Sequence, residues 1–271
     1  MDGHLPTAVV TGGASGLGLA LCRELQAQGF HTVILDLRAP PRSMLSSERS
    51  SYRWLDLQDT PTLLATLAEI HHSRGRIDWL VNCAGICVGG QLRDLGSGDF
   101  QRVMAVNFLA AMETTLAVLP LMRARGSGTV VNIASVAGLL PSPTLSPYAA
   151  AKAALANFSE STRLECRAEG IRVITVCPGF VDTPLFERAE LRAVDRAALL
   201  RRLPLGRLPA DEAARWILRG VARNRSPLVF PAYARLGLWL HRNLPGLYGL
   251  IVRKHIRLFQ RSRLSPSDPG P

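Results

Sequence analysis

The sequence predicts an α/β fold: a single-domain, doubly wound parallel sheet of about seven strands flanked by helices. Three observations predict it. Short β-branched runs alternate with longer helical patterns over the first 180 residues; the first run ends in a glycine-rich turn that opens a helix; a carboxylate closes the second run. Strands are expected at 7–11, 31–36, 52–56, 79–82, 128–135, 172–177 and 227–230. Helices are expected at 16–28, 60–74, 98–125 and 147–169. A chain of 271 residues buries a core without disulfide staples. Its five cysteines, Cys22, Cys83, Cys87, Cys166 and Cys177, form no C-x-x-C pair. They suit a reducing compartment and offer no metal site. No run of about 20 apolar residues and no leader stand out, so a spanning helix is not expected.

The glycine turn reads Thr11-Gly12-Gly13-Ala14-Ser15-Gly16-Leu17-Gly18. Glycines let the backbone turn sharply close to a pyrophosphate, and the helix that follows offers unpaired N–H groups and partial positive charge. Gly12, Ala14, Ser15, Gly16, Leu17 and Gly18 are therefore candidate cofactor residues. Alone the turn is weak, because its G-x-x-x-G-x-G spacing differs from the G-x-G-x-x-G fingerprint. Asp36 strengthens it. Standing 20 residues beyond Gly16, it is placed to hydrogen-bond the ribose hydroxyls of NAD. A 2′-phosphate would face a like charge there, at a cost of about 4 kcal/mol at 4 Å and an effective dielectric of 20. NAD is favoured over NADP, with Arg38 nearby to soften the repulsion. Asp56 and Leu57 are candidates for holding the adenine. Asn82, Ala84 and Gly85 end the fourth strand, where small residues let the chain pass close to a cofactor.

Tyr148 and Lys152 lie four apart, just after Pro147, so they share a face of one helix. A phenol with a pKa near 10 is a poor base at neutral pH, and a neighbouring ammonium favours its ionised form. Ser135 ends the fifth strand, on the edge of an open parallel sheet where ligands bind. Lys152 is one of only two lysines among thirty arginines, which argues that a compact ammonium is wanted at that position.

With these residues the chain resembles the short-chain dehydrogenase/reductase family over about residues 5 to 185, and its fold is expected to be Rossmann-like. Thr11-Gly12, Gly16, Leu17 and Gly18 match the family's T-G-x-x-x-G-x-G, and Ser135, Tyr148 and Lys152 match its catalytic set. The resemblance implies that Tyr148 exchanges the substrate proton and that Ser135 orients the oxygen. It also implies that Lys152 lowers the Tyr148 pKa and binds the nicotinamide ribose, and that Asn107 positions a relay water. Pro178, Gly179, Val181 and Thr183 match the segment that contacts the nicotinamide. One departure is the usual N-N-A-G, which reads Asn82-Cys83-Ala84-Gly85 here. Family members are often dimers or tetramers, so a homo-oligomer is implied.

Together these readings imply an NAD(P)-dependent oxidoreductase that moves a hydride between nicotinamide and a secondary alcohol or ketone. Leu185, Phe186, Leu191, Leu199 and Leu200 lie in a substrate lid at about 184–209 and favour a hydrophobic substrate, such as a lipid, steroid, retinoid or polyketide-like molecule. The alternatives are a non-catalytic dinucleotide sensor, which has no need of Tyr148 and Lys152, and a methyltransferase, which has none of Ser135 with them.

The net charge of +11 is local. Eleven arginines and lysines and no acid lie between Ala213 and Arg263, which accounts for the whole excess. Residues 232–263 read as a basic amphipathic extension after a catalytic domain at 1–231, and 264–271 as a disordered tail. The extension has three readings: peripheral contact with an anionic membrane, packing between subunits, or nucleic acid, for which no reader motif is present. It also resembles the ends of lipid-directed members of the family. A cytoplasmic location is expected, with membrane association as the alternative.

Overall fold

The computed structural model describes residues 5–45, 49–195 and 206–260. The central parts of the lid (196–205) and the tail (264–271) named above lie outside them. Seven strands form one sheet: β1 (Thr7–Thr11), β2 (His31–Asp36), β3 (Ser50–Trp54), β4 (Trp79–Asn82), β5 (Gly128–Ile133), β6 (Ile171–Pro178) and β7 (Leu228–Phe230). Their order is β7-β6-β5-β4-β1-β2-β3, and every neighbouring pair is parallel. The strand order reverses between β1 and β4, which opens a crevice at their carboxyl ends. The α/β, Rossmann-like, doubly wound architecture expected from the sequence is the one present.

Strands β1, β2, β4, β5 and β6 are buried nearly throughout because helices cover both faces. The helices of the layers are α1 (Gly16–Ala27), α2 (Thr60–Arg74), α3 (Ser97–Met104), α4 (Ala110–Arg125), α5 (Ser146–Glu165) and α6 (Ala210–Ala222). One core joins Val10, Leu21, Leu25, Ile34, Ile174 and Ile217; on the other face a second joins Val9, Leu63, Leu80, Val118 and Met122. Helices α7 (Ala232–Asn243) and α8 (Pro245–Gln260) follow β7.

Two differences from expectation have physical reasons. Strand β3 pairs with β2 from Ser50 to Trp54, two residues earlier than expected, which frees Asp56 and Leu57 into the loop beyond it. The helix expected at 98–125 is interrupted by a π-helical turn, Ala105–Leu109, which swings Asn107 inwards. The run Ser97–Arg125 is long and apolar enough to cross a membrane by length and composition. Its apolar positions Val103, Val118, Leu119 and Met122 are instead buried in the core.

Candidate active site

The glycine turn is shaped by close contacts. Gly12 has φ +67°, and a Cβ there would lie 2.7 Å from Ala84 Cα; one on Gly18 would lie 2.2 Å from the Gly12 carbonyl oxygen. Only glycine lets the turn, the start of α1 and the end of β4 approach this closely. Ser15 caps α1 without a side-chain bond to the helix N–H groups, which leaves them free to donate to an anion. Thr11, which sequence reasoning overlooked beyond its motif role, fastens the crevice: its Oγ1 accepts from the Cys83 and Ala84 N–H groups at 3.1 and 3.3 Å.

One cleft of about 480 Å³ runs along the carboxyl edge of the sheet. Gly12, Ser15, Gly16, Leu17, Gly18, Asp36, Asp56, Leu57, Ala84, Gly85, Ser135, Tyr148, Lys152, Pro178, Gly179, Val181 and Thr183 all line it, with Asp36 at the end of β2 and Ser135 beyond β5 on the far side of β1 and β4. The Asp36 carboxylate accepts from Ala14 N–H at 3.0 Å and from Arg38 N–H at 3.1 Å. Each oxygen keeps a lone pair for a hydroxyl.

Three candidates do not line the cleft. Ala14 contributes only its backbone N–H, which holds Asp36. The side chain of Asn82 is turned into the core. Its amide donates to Asn132 Oδ1 at 2.8 Å and to Ala111 and Thr115, while Thr114 donates to its oxygen. Buried polar groups must be paired, and this asparagine ties β4 to β5 and α4. Asn107 sits behind the cleft wall, its oxygen accepting from Ile86 N–H at 2.8 Å and its amide donating to the Ile86 carbonyl at 2.9 Å.

At the catalytic end, Tyr148, Lys152 and Ser135 are all buried. The ammonium of Lys152 donates to the Ile133 carbonyl at 2.7 Å and lies 5.9 Å from the centre of the Tyr148 ring. Burial lowers the Lys152 pKa to about 8. Burial also raises the Tyr148 phenol, with the Cys87 thiol adding to it and the Ser135 hydroxyl pulling it back. The expected acidification of this phenol by Lys152 is therefore outweighed by desolvation. A phenol held protonated is poised to donate a proton to a carbonyl. Cys83, in place of the family's asparagine, is pushed up to about 12, chiefly by burial, and stays a neutral thiol.

Tyr233, far along the chain on α7, also shapes the cleft. Its hydroxyl accepts from Phe180 N–H at 2.7 Å, and its ring lies against Gly179. A contact across 53 residues leaves no local signal in the sequence.

Free helix N–H groups, a carboxylate with spare lone pairs and a cleft of this size form a cradle that fits a nicotinamide dinucleotide. Such a site defines a dehydrogenase or reductase. The sequence pattern of the short chain dehydrogenase family matches residues 6–193. The D-beta-hydroxybutyrate dehydrogenase of Rhizobium meliloti is 33% identical over 190 residues, covering 67% of this chain and 74% of that one. The cis-4-hydroxycyclohexanecarboxylate dehydrogenase of Sinomonas cyclohexanicum is 33% identical over 231 residues, covering 83% and 92%. A short-chain dehydrogenase crystal structure from Streptomyces avermitilis superposes with a TM-score of 0.81 at 28% identity, covering 95% of this chain and 99% of that one. The chain belongs to the short-chain dehydrogenase/reductase family, whose members use NAD(P), act on small alcohols and ketones and are commonly oligomeric.

Proposed function

We propose that this enzyme is an NAD(H)-dependent alcohol dehydrogenase/ketoreductase acting on a hydrophobic secondary alcohol or the corresponding ketone. The observation that carries the reading is one cleft with Asp36 at one end and Ser135, Tyr148 and Lys152 at the other. A bound nicotinamide supplies the hydride donor or acceptor. The chain's own residues handle the proton and the oxygen. Ser135 offers a hydroxyl to the substrate oxygen, and Tyr148 gives its proton to that oxygen in reduction or takes it back in oxidation. Lys152, when charged, stabilises the phenolate that remains. Asp36 binds ribose hydroxyls and opposes a 2′-phosphate. Roles in binding the dinucleotide are assigned to Gly12, Ser15, Gly16, Leu17, Gly18, Asp56, Leu57, Ala84, Gly85, Pro178, Gly179, Val181 and Thr183.

Ile86, Cys87, Val106, Leu185 and Phe186 line the substrate end and support an apolar substrate. A second reading, a hydroxylated carboxylate, is favoured by Arg188. It also lines this end and makes no ion pair among the described residues. The two relatives above are named as dehydrogenases of such compounds.

Nicotinamide reduction should be followed across apolar secondary alcohols and hydroxy acids, with each cofactor. Turnover with NAD⁺ is expected to rise with the apolar size of the alcohol. Faster turnover of hydroxy acids, lost in Arg188→Gln, would favour the second reading. Cofactor binding without turnover of any substrate would leave a sensor.

A further inference from the structure

The C-terminal helices have two unlike faces. On α8, Tyr248, Val252, Ile256 and Phe259 follow helical spacing and face the body of the protein. Tyr248 donates to the Pro141 carbonyl at 3.1 Å, and Phe259 packs with Val194 and Leu191. The opposite stripe carries Leu247, Leu250, Ile251 and Lys254, all exposed. On α7, Tyr233 faces Gly179 and Gly237 faces Leu140, which leaves Arg235, Leu236, Trp239 and Arg242 outside. Leu236, Trp239, Leu244, Leu247, Leu250 and Ile251 are 45% to 58% exposed. They are six of the sixteen large exposed apolar residues described, gathered within sixteen positions.

Beside them a groove of about 450 Å³ is lined by Trp216, Arg219, Arg223, Arg225, Arg235 and Leu238. Trp216 stacks on Phe230 at 6.3 Å and carries the Arg219 guanidinium 5.4 Å above its ring. No ion pair joins any of these four arginines to a carboxylate among the described residues. Arg215, one turn earlier on α6 and outside the groove, does meet Glu24 at 3.5 Å. Like charges gathered in one groove repel, and an anion relieves that repulsion.

We propose that the arginine groove and the outer face of α7 and α8 form a docking surface for an anionic phospholipid bilayer. Phosphate headgroups seat among Arg219, Arg223, Arg225 and Arg235, while Leu236, Trp239, Leu247, Leu250 and Ile251 enter the interface. Charge selects this occupant. A second copy would bring the same cations face to face, whereas an anionic leaflet attracts a surface that has no acid from Ala213 to Arg263. The inference stands independently of the substrate reading.

The test is flotation of the full chain with vesicles of phosphatidylcholine, either alone or with about one third phosphatidylglycerol. Recovery is expected to be about tenfold greater on the anionic vesicles and to fall as salt shortens the screening length. Arg223→Glu with Arg225→Glu, and separately Trp239→Ala with Ile251→Ala, should each reduce partitioning about tenfold. All four positions are exposed and outside the catalytic cleft, so soluble turnover and thermal stability should hold. Equal recovery on neutral vesicles, no recovery on either, or unaltered recovery of both variants would overturn the proposal. So would stabilisation by millimolar inorganic phosphate that needs Arg223 and Arg225 but comes without vesicle recovery, since the groove would then be a small-anion site.

Discussion

Tyr148→Phe is expected to reduce turnover about 10³-fold, equivalent to about 4 kcal/mol of transition-state stabilisation, and to leave the NADH dissociation constant within about threefold. The ring fills the same space among Cys87, Val88 and Ala151, so only the hydroxyl and its bond to Ser135 are lost. Single-turnover rates and NADH titration separate the two effects. Retention of about a tenth of the activity would remove Tyr148 from the proton transfer. The pH dependence follows from the buried ammonium. Lys152 holds its proton below about pH 8 and loses it above. The phenol, raised by burial, stays protonated throughout that range. Carbonyl reduction by the wild type should therefore run at its plateau below pH 8 and decline above it, as the cation beside the nascent phenolate disappears. A profile for reduction that is flat from pH 7 to about 10 would show that the Lys152 charge plays no part.

The sheet was legible because its signal is local. Six of the seven strands are β-branched or apolar runs that need helices on both faces, and each ends at, or is followed by, a turn residue or a small residue. Strand β3 was harder: the apolar residues Tyr52, Trp54 and Leu55 run past Trp54, where pairing with β2 ends. The phosphate turn and the Tyr148–Lys152 pair were legible because chemistry ties residue types to short spacings. What escaped depends on distant partners. Asn82 looks like a cleft residue by position, yet Asn132, Thr114 and Thr115 claim its side chain. A π-turn at Asn107 carries no distinctive periodicity, and Tyr233 reaches Phe180 from another part of the chain. The balance at Tyr148 also depends on distant parts of the chain. Spacing reveals the ammonium, whereas the desolvation that outweighs it comes from the whole fold.

Asp36→Asn is expected to shift the ratio of kcat/KM for NAD over NADP by about 10²- to 10³-fold towards NADP. Two effects add. Losing a charged acceptor for the ribose hydroxyls weakens NAD by about 1.5–3 kcal/mol, roughly ten- to hundredfold. Removing the carboxylate also lifts a repulsion on the 2′-phosphate of up to about 4 kcal/mol, reduced by solvent at this partly exposed edge. Arg38, which lines the same end of the cleft, is then free to meet that phosphate. Asparagine is the informative replacement because of what else Asp36 holds. Its carboxylate fixes the glycine turn through Ala14 N–H and caps Arg38 N–H. The amide oxygen of asparagine can keep the Ala14 bond, and the exposed Arg38 N–H can turn to water. Alanine would release both and loosen the phosphate turn, lowering affinity for either cofactor and masking the preference. If Asp36→Asn weakens NAD and NADP equally, the residue serves the turn and not the choice of ribose. The specificity would then have to come from Arg38 and the loop beyond β2.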